Sequence, residues 1–320
     1  MIPEEQISTL RAYGYSKREA VFIATVALHS GYFIPRQYTG VHGGAVTDLG
    51  RKLTGLEHAS VIQYGYKQKV YHIDHKAIYR VLGQEDNRHR RPQETFRMRG
   101  KIMGLDYVIL HPGYRYLPTE EAKLEFFESE RKLNRNVLPS RMYAGGEGRI
   151  TLRYFIDKFP IRVHPETGHV TFVFVDCGQF TEYSFDTWLK QYTSLFSALG
   201  KCDVAYCTTD EEGMLPYAKK AFERFVSKLR TPDSIEEYFR LRREVESTGG
   251  VTLTIDELKD YALLQRTFAN QDGVEERYHG YALAPVEEPR KAPEIRLSTY
   301  LLPYSYRWLG TAVNKERLRA

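Results

Sequence analysis

The chain has 320 residues, of which 42% are hydrophobic and 27% charged, a composition typical of a globular protein with two or three domains. No run approaches the ~18 uninterrupted apolar residues that a membrane-spanning helix needs, and residues 1–5 lack the basic and apolar regions of a signal peptide. Three scattered cysteines are too few for a disulfide framework, so we expect a cytoplasmic protein without a membrane partner.

The net charge of +5 is concentrated in one part of the chain. Residues 51–100 hold eleven basic and five acidic side chains, whereas the rest of the chain is nearly balanced. A local basic excess is typical of surfaces that bind polyanions, because Lys and Arg displace the counterions that condense on phosphates. A solvated basic face without a partner is the alternative.

The first 83 residues show a pattern of helices followed by a hairpin. Ser16 and Glu19 predict a capping box at the start of an apolar helix, which ends at Gly31. Two more helices, two strands and a closing helix are predicted in chain order, over residues 32–38, 45–53, 59–64, 69–73 and 74–82. This order is typical of a winged helix-turn-helix domain over residues 1–83.

A winged helix places its third helix in the major groove of double-stranded DNA and its hairpin, the wing, against the backbone or minor groove. The third helix and the wing are both basic here. We therefore expect eight side chains to contact DNA: Arg36, Gln37, Thr47, Arg51, Lys52, Tyr66, Lys67 and Lys69. A winged helix used only for protein contacts is the alternative.

Residues 84–149 are predicted to be a connector with structure of its own. Its expected elements are a helix, two short strands, a second helix and a loop, over residues 95–104, 105–110, 114–117, 118–127 and 131–148. Arg88, Arg90 and Arg91 either add phosphate contacts or only keep the link soluble.

Residues 150–230 are predicted to form a small α/β domain of three strands, a helix, a strand and a helix. Asp157 ends the first strand, predicted over residues 150–157, and Asp176 ends the third, predicted over residues 170–176. This pattern resembles the core of PD-(D/E)xK nucleases, in which two carboxylates and a lysine hold a divalent metal beside a phosphodiester. The lysine is missing, because Gly178 stands where the motif requires it; Lys190 on the next helix is the substitute candidate. We expect a degenerate, non-catalytic domain without a cofactor; the alternative is a Mg²⁺-dependent nuclease that uses Asp157, Asp176 and Lys190.

Three segments resemble the plasmid replication-relaxation family: residues 27–38 (ALHSGYFIPRQY), 105–108 (LDYV) and 153–160 (RYFIDKFP). The resemblance implies a winged-helix DNA-binding protein of a plasmid or other mobile element. It implies a role in replication, transfer or transcriptional control and no enzymatic activity.

Residues 231–320 are predicted to be a helical and Tyr-rich extension, with strand-like runs over 277–284 and 297–306. Its aromatic residues either stack on bases or pack inside the protein or an oligomer: Tyr300, Tyr304, Tyr306 and Trp308. The fold class expected for the whole chain is α+β. The expected partners are double-stranded DNA and either a second copy of the chain or another protein of the same element; a scaffold that binds no nucleic acid is the remaining alternative.

Overall fold

The computed structural model describes the following residues: 2–43, 46–64, 68–144, 150–178, 182–209, 214–230, 234–268, 273–283 and 293–310. The fold is mixed α+β, as expected. The chain divides into two compact units, one of Met1–Ala221 with Ile295–Ala320 and the other of Phe222–Glu294. Among the described helices, none has the length and apolar character needed to cross a bilayer.

The first unit begins with helices that surround a small antiparallel sheet. In chain order its elements are α1 (Glu4–Ala12), α2 (Lys17–His29), β1 (Tyr32–Phe33), α3 (Pro35–His42), α4 (Val46–Gly55), β2 (Ala59–Tyr64), β3 (Gln68–Ile73) and α5 (Lys76–Val81). The strand order is β1-β3-β2. The predicted capping box of α2 is confirmed, because the Ser16 hydroxyl accepts from the Glu19 backbone N–H and the Glu19 carboxylate accepts from the Ser16 N–H.

The helix predicted over residues 32–38 was wrong at its start. Tyr32 and Phe33 form β1 and pair with His72 and Tyr71 of β3. Helix α3 begins only at Pro35, because a residue before proline is disfavoured in the helical conformation and Ile34 is extended at φ −117° and ψ 153°.

Helix α4 is anchored on one face. Leu49 and Leu53 are fully buried in the core of these N-terminal elements, which also includes Phe22 and Ile23 of α2. Burial of a leucine side chain contributes about 1.5–3 kcal/mol, so these two residues fix which face of α4 points to solvent.

Residues 84–149 are not a simple connector, since their main helix packs on two cores. Helix α6 (Thr95–Leu110) places Leu105 in the N-terminal core, and Ile102 and Met103 in a second core against the large sheet. The strand predicted over residues 105–110 was therefore wrong. A helix buried on several sides has no clear polar face, so its period is hidden in the sequence.

The large sheet has the described strand order β10-β9-β8-β7-β4. Its strands are β4 (Arg115–Tyr116), β7 (Ile161–Val163), β8 (Val170–Val175), β9 (Lys201–Thr208) and β10 (Glu294–Leu301). Strand β7 is antiparallel to β4 and β8, whereas β8 and β9 are parallel. A crossover through α8 (Glu182–Gln191) and α9 (Thr193–Leu199) joins the parallel pair, as parallel strands require.

Two further elements lie between β4 and β7. Helix α7 (Glu120–Leu124) continues as a π-helical segment over Glu125–Glu130. The loop predicted over residues 131–148 was wrong in part, because β5 (Ser140–Ala144) pairs with β6 (Ile150–Tyr154) as a hairpin. Met142 and Leu152 face each other across it and are both exposed, which removes the alternation that usually marks a half-buried strand.

The second unit is helical. Helix α10 (Leu215–Arg230) begins in the first unit and is followed by α11 (Ser234–Thr248), α12 (Ile255–Phe268) and α13 (Val274–Leu283). The strand-like run predicted over residues 277–284 was wrong. Val274 and Tyr278 are one helical turn apart on α13, and both are buried in a core with Tyr238 and Phe239 of α11.

Candidate functional site

Three of the eight predicted DNA contacts lie exposed on the N-terminal elements: Arg51, Lys52 and Lys69. The Arg51 side chain on α4 is 79% exposed, and it makes a surface ion pair with Asp48 at 3.1 Å. Lys69 is exposed at the start of β3. Surface ion pairs contribute little free energy, so Arg51 can exchange Asp48 for a phosphate at small cost.

Lys52 is accessible but is held by a carboxylate. Its Nζ lies 2.9 Å from Glu19, and the two side chains are 42% and 7% exposed. Burial acts to raise the pKa of Glu19, but hydrogen bonds from Lys52 and Ser16 outweigh it and lower that pKa. Lys52 therefore balances the charge of the nearly buried Glu19 carboxylate, and only the exposed part of the Lys52 side chain is accessible to a ligand.

Arg36 and Gln37 both have partners inside the protein; the Arg36 side chain is 30% exposed, and its predicted DNA contact stays a prediction. Arg36 donates two hydrogen bonds to Asp106 of α6, at 2.9 and 2.8 Å. Gln37 is 2% exposed; it accepts from the Ile34 N–H and donates to the Ile102 carbonyl, both at 2.9 Å. Both side chains join α3 to neighbouring backbone and to α6, so they are structural residues.

The remaining three predicted contacts lie outside the described residues. Tyr66 and Lys67 belong to the turn between β2 and β3, which the structure does not describe. Helix α4 includes the backbone of Thr47, but the side chain of Thr47 is likewise outside the described part of the structure. They stay predictions.

Asp157, the first nuclease candidate, is fully engaged as a hydrogen-bond acceptor. One oxygen accepts from the Phe159 backbone N–H at 2.9 Å. The other accepts from the Trp188 indole at 2.9 Å and from the Tyr192 hydroxyl at 2.8 Å. These three hydrogen bonds give both oxygens of Asp157 partners inside the protein.

Asp176 and Lys190 have other partners. Asp176 is fully buried; its oxygens accept from the Gly178 N–H at 2.8 Å and the Tyr206 hydroxyl at 2.5 Å. Lys190 is 60% exposed and pairs with Asp186 one turn back on α8. Among the described residues, no group of three or more His, Cys, Asp and Glu side chains is placed to hold a metal.

The aromatic residues of the tail pack inside the first unit. Tyr306 is 2% exposed and donates to Asp106, and Tyr300 packs edge-on against Tyr107 at 5.4 Å between ring centroids. Trp308 packs edge-on against Tyr64 at 5.8 Å. Only Tyr304 is appreciably exposed, at 36%, so the packing interpretation is the one that the contacts favour.

A cluster of cations lies between α5, α7 and β6, and sequence reasoning singled out only one of them, Arg88. Arg88, Lys123 and Lys158 line a cavity there together with the buried His89, and Lys101 of α6 acts electrostatically on His89. The basic run over residues 88–91 was the sequence feature that could have indicated this cluster. Of that run, Arg90 is used internally, because it donates to the Asp74 and Glu85 carbonyls.

In comparisons with models of protein families, with curated proteins and with solved structures, nothing matched this chain.

Proposed function

We propose that the chain is a DNA-binding protein of the winged-helix class, which docks α4 in the major groove and the β2–β3 hairpin beside it. The order of α2, β1, α3, α4, β2 and β3, with strand order β1-β3-β2, supports this proposal. In helix-turn-helix domains the second helix of the motif enters the major groove; in this chain that helix is α4.

The observation that carries the proposal is that α4 has a buried apolar face and an exposed cationic face. Leu49 and Leu53 are fully buried, whereas Arg51 between them is 79% exposed. A helix fixed by its apolar side presents its cation outward, and Lys69 on the hairpin adds a second one. Cations on both elements that would touch a duplex are the expected footprint of phosphate contacts.

The resemblance to the replication-relaxation family supports a role on mobile-element DNA, in replication, transfer or transcriptional control. The α/β part of the first unit would then serve assembly, with a second copy or with another protein of the element. The nuclease alternative has no observation in its favour, because the oxygens of Asp157 and Asp176 have other partners.

A mobility-shift titration over a range of salt concentrations tests the proposal. Wild-type protein should bind a mixed-sequence duplex with an affinity that falls as salt rises, since binding releases counterions. The double variant Arg51→Ala/Lys69→Ala should bind more weakly, and its plot of log affinity against log salt should be flatter by about 1.8, at about 0.9 for each lost phosphate contact.

A matched control removes two exposed cations outside residues 1–83. Arg115 and Lys259 are 43% and 71% exposed and each has a surface carboxylate partner. The Arg115→Ala/Lys259→Ala variant should keep the wild-type slope. Equal slopes for both double variants would place the contact surface elsewhere, and the absence of any shift would favour the scaffold alternative.

A further inference from the structure

A cavity of about 530 Å³ lies within the first unit, between three segments of chain. Its walls come from residues 80–89, which run from the end of α5, from residues 118–123 at the start of α7, and from residues 153–158, which run from the end of β6. This volume is within the range of small-molecule sites, about 300–1,000 Å³. The cavity is separate from the exposed face of α4, because none of its lining residues belongs to α4 or to the β2–β3 hairpin.

Charged side chains dominate the lining of the cavity. The cations are Arg80, Arg88, Lys123, Arg153 and Lys158, and the carboxylates are Glu85, Asp86, Glu120 and Glu121. Two pairs are internally compensated: Arg80 with Glu85 at 2.5 Å, and Arg153 with Glu120 at 2.7 Å.

Two cations of the lining, Arg88 and Lys158, make no ion pair among the described residues, although Glu120 acts on Lys158 electrostatically. The Lys123 ammonium donates to the Phe159 carbonyl at 3.0 Å and is stabilised by the carboxylates of Asp157 and Glu120. Lys101 of α6 is a further cation that acts electrostatically on His89, and its ammonium lies over the Tyr32 ring at 5.4 Å from the centroid. Burial first, and then Lys158 and Arg97, lower the pKa of Lys101 to about 7. The pKa of Lys158 falls to about 8 through burial, then Arg88 and Arg153.

His89 lies on the wall of the cavity with one ring nitrogen unused. The residue is 3% exposed, and its Nδ1 has no hydrogen-bond partner among the described residues. The segment that carries it is fixed, because the His89 carbonyl accepts from His72 and a Cβ on Gly31 would approach that carbonyl to 2.5 Å. A buried polar atom without a partner is costly, so the cavity wall is held at His89 at the expense of one unmade hydrogen bond.

A strained turn positions Lys158. Phe155 and Lys158 have φ of 48° and 57°, in the left-handed region that side chains other than glycine rarely adopt. The three hydrogen bonds that Asp157 accepts from Phe159, Trp188 and Tyr192 hold this turn. Strain of about 1–3 kcal/mol per residue persists only where the surrounding structure fixes it, and it is concentrated at binding sites.

From this geometry we propose that the cavity is a binding site for a phosphate monoester of nucleotide size, with Lys158 and Arg88 as its principal cationic ligands. A phosphate monoester carries up to two negative charges and accepts several hydrogen bonds, which matches Arg88 and Lys158, the two cations of the lining without an ion pair among the described residues. The ligand is either a free nucleoside monophosphate or the phosphorylated 5′ end of a DNA strand. The site does not depend on the proposed docking of α4.

Calorimetric titration of the full chain in a phosphate-free buffer tests the proposal. The probes are inorganic phosphate, adenosine 5′-monophosphate, adenosine, and one oligonucleotide with either a 5′ phosphate or a 5′ hydroxyl. Wild-type protein should bind the phosphate-bearing probes and not adenosine. Lys158→Asn should weaken this binding at least tenfold, because asparagine tolerates the left-handed backbone while it removes the charge. Arg88→Gln, at an exposed position, should weaken it as well.

Lys17→Asn is the matched control, since Lys17 is exposed on α2 and pairs with Glu4 at 2.8 Å. It should bind all probes like wild type, and the Arg51→Ala/Lys69→Ala variant should bind inorganic phosphate and adenosine 5′-monophosphate like wild type. Tight binding of the mononucleotide identifies a free nucleotide as ligand, and a preference for the 5′-phosphorylated strand identifies a DNA end. If no phosphate probe binds, or if Lys158→Asn and Arg88→Gln bind as wild type does, the proposal is wrong.

Discussion

Arg36 of α3 holds the carboxylate of Asp106 on α6 through two hydrogen bonds, at 2.9 and 2.8 Å. Asp106 is 2% exposed, and the Tyr306 hydroxyl donates to it from the far end of the chain. The Arg36 guanidinium also lies over the Tyr304 ring, 3.5 Å from its centroid. This ion pair therefore fastens the N-terminal helices and the C-terminal tail to the central helix.

We expect Arg36→Ala to lower the free energy of unfolding by about 2–4 kcal/mol, because it leaves a buried carboxylate without its cation. Urea unfolding measures the change. Arg115→Ala is the control, because the bidentate partner of Arg115, Glu130, is 41% exposed. Loss of this surface ion pair should lower the free energy of unfolding by less than about 1 kcal/mol. Unchanged stability of Arg36→Ala, together with weaker DNA binding, would restore Arg36 as a DNA contact.

Asp157 is expected to act as a structural acceptor. Asp157→Ala leaves the donors of Trp188 and Tyr192, which are 4% and 1% exposed, without their acceptor. It should therefore cost about 3 kcal/mol or more of unfolding free energy in chemical denaturation. Asp157→Asn keeps one acceptor oxygen and should cost less.

The control for Asp157 is Asp203→Ala, which removes a carboxylate that is 33% exposed and paired with His169 at 3.0 Å. It should change the stability little. Added Mg²⁺ should leave the melting temperature of the wild type unchanged. A Mg²⁺-dependent rise in the melting temperature that disappears in Asp157→Ala would support the nuclease alternative, since a ligand stabilises the state that binds it.

Lys101 should make stability depend on pH. Burial, with Lys158 and Arg97 next, lowers its pKa from 10.5 to about 7 in the folded chain. Between these two values the unfolded chain binds more protons at Lys101, so the free energy of unfolding rises with pH there. Below pH 7 the charged Lys101 ammonium lowers the free energy of unfolding by its full amount, and this loss of stability decreases to zero as the pH approaches 10.5.

Lys101→Met tests this linkage against the wild type over pH 6–9. The variant should be more stable than the wild type at pH 6, and its advantage should shrink by up to about 1.4 kcal/mol per pH unit above pH 7. Thermal or urea unfolding at each pH provides the measurement. Parallel stability curves for the two proteins would contradict the lowered pKa. The charged and titratable neighbours of Lys101 stay in place in both proteins: His72, His89, Arg97 and Lys158.

Local sequence signals decided much of the N-terminal fold. The capping box of Ser16 and Glu19, the apolar spacing of Leu49 and Leu53 and the two runs that form β2 and β3 all act over a few residues, and they could be recognised without any tertiary contact. The exposure of Arg51 follows from the same spacing, because burial of one face of a helix exposes the opposite one.

Tertiary structure alone decided the roles of the other candidates. Arg36 and Asp106 are 70 positions apart, and Asp157 meets Trp188 and Tyr192 across more than 30, so no local pattern distinguishes these structural side chains from ligands of DNA or metal. The cavity depends likewise on three distant segments that bring Arg88 and Lys158 together. Charge in a sequence shows only that a cation exists; burial and the partners supplied by the fold determine whether that cation is free to bind.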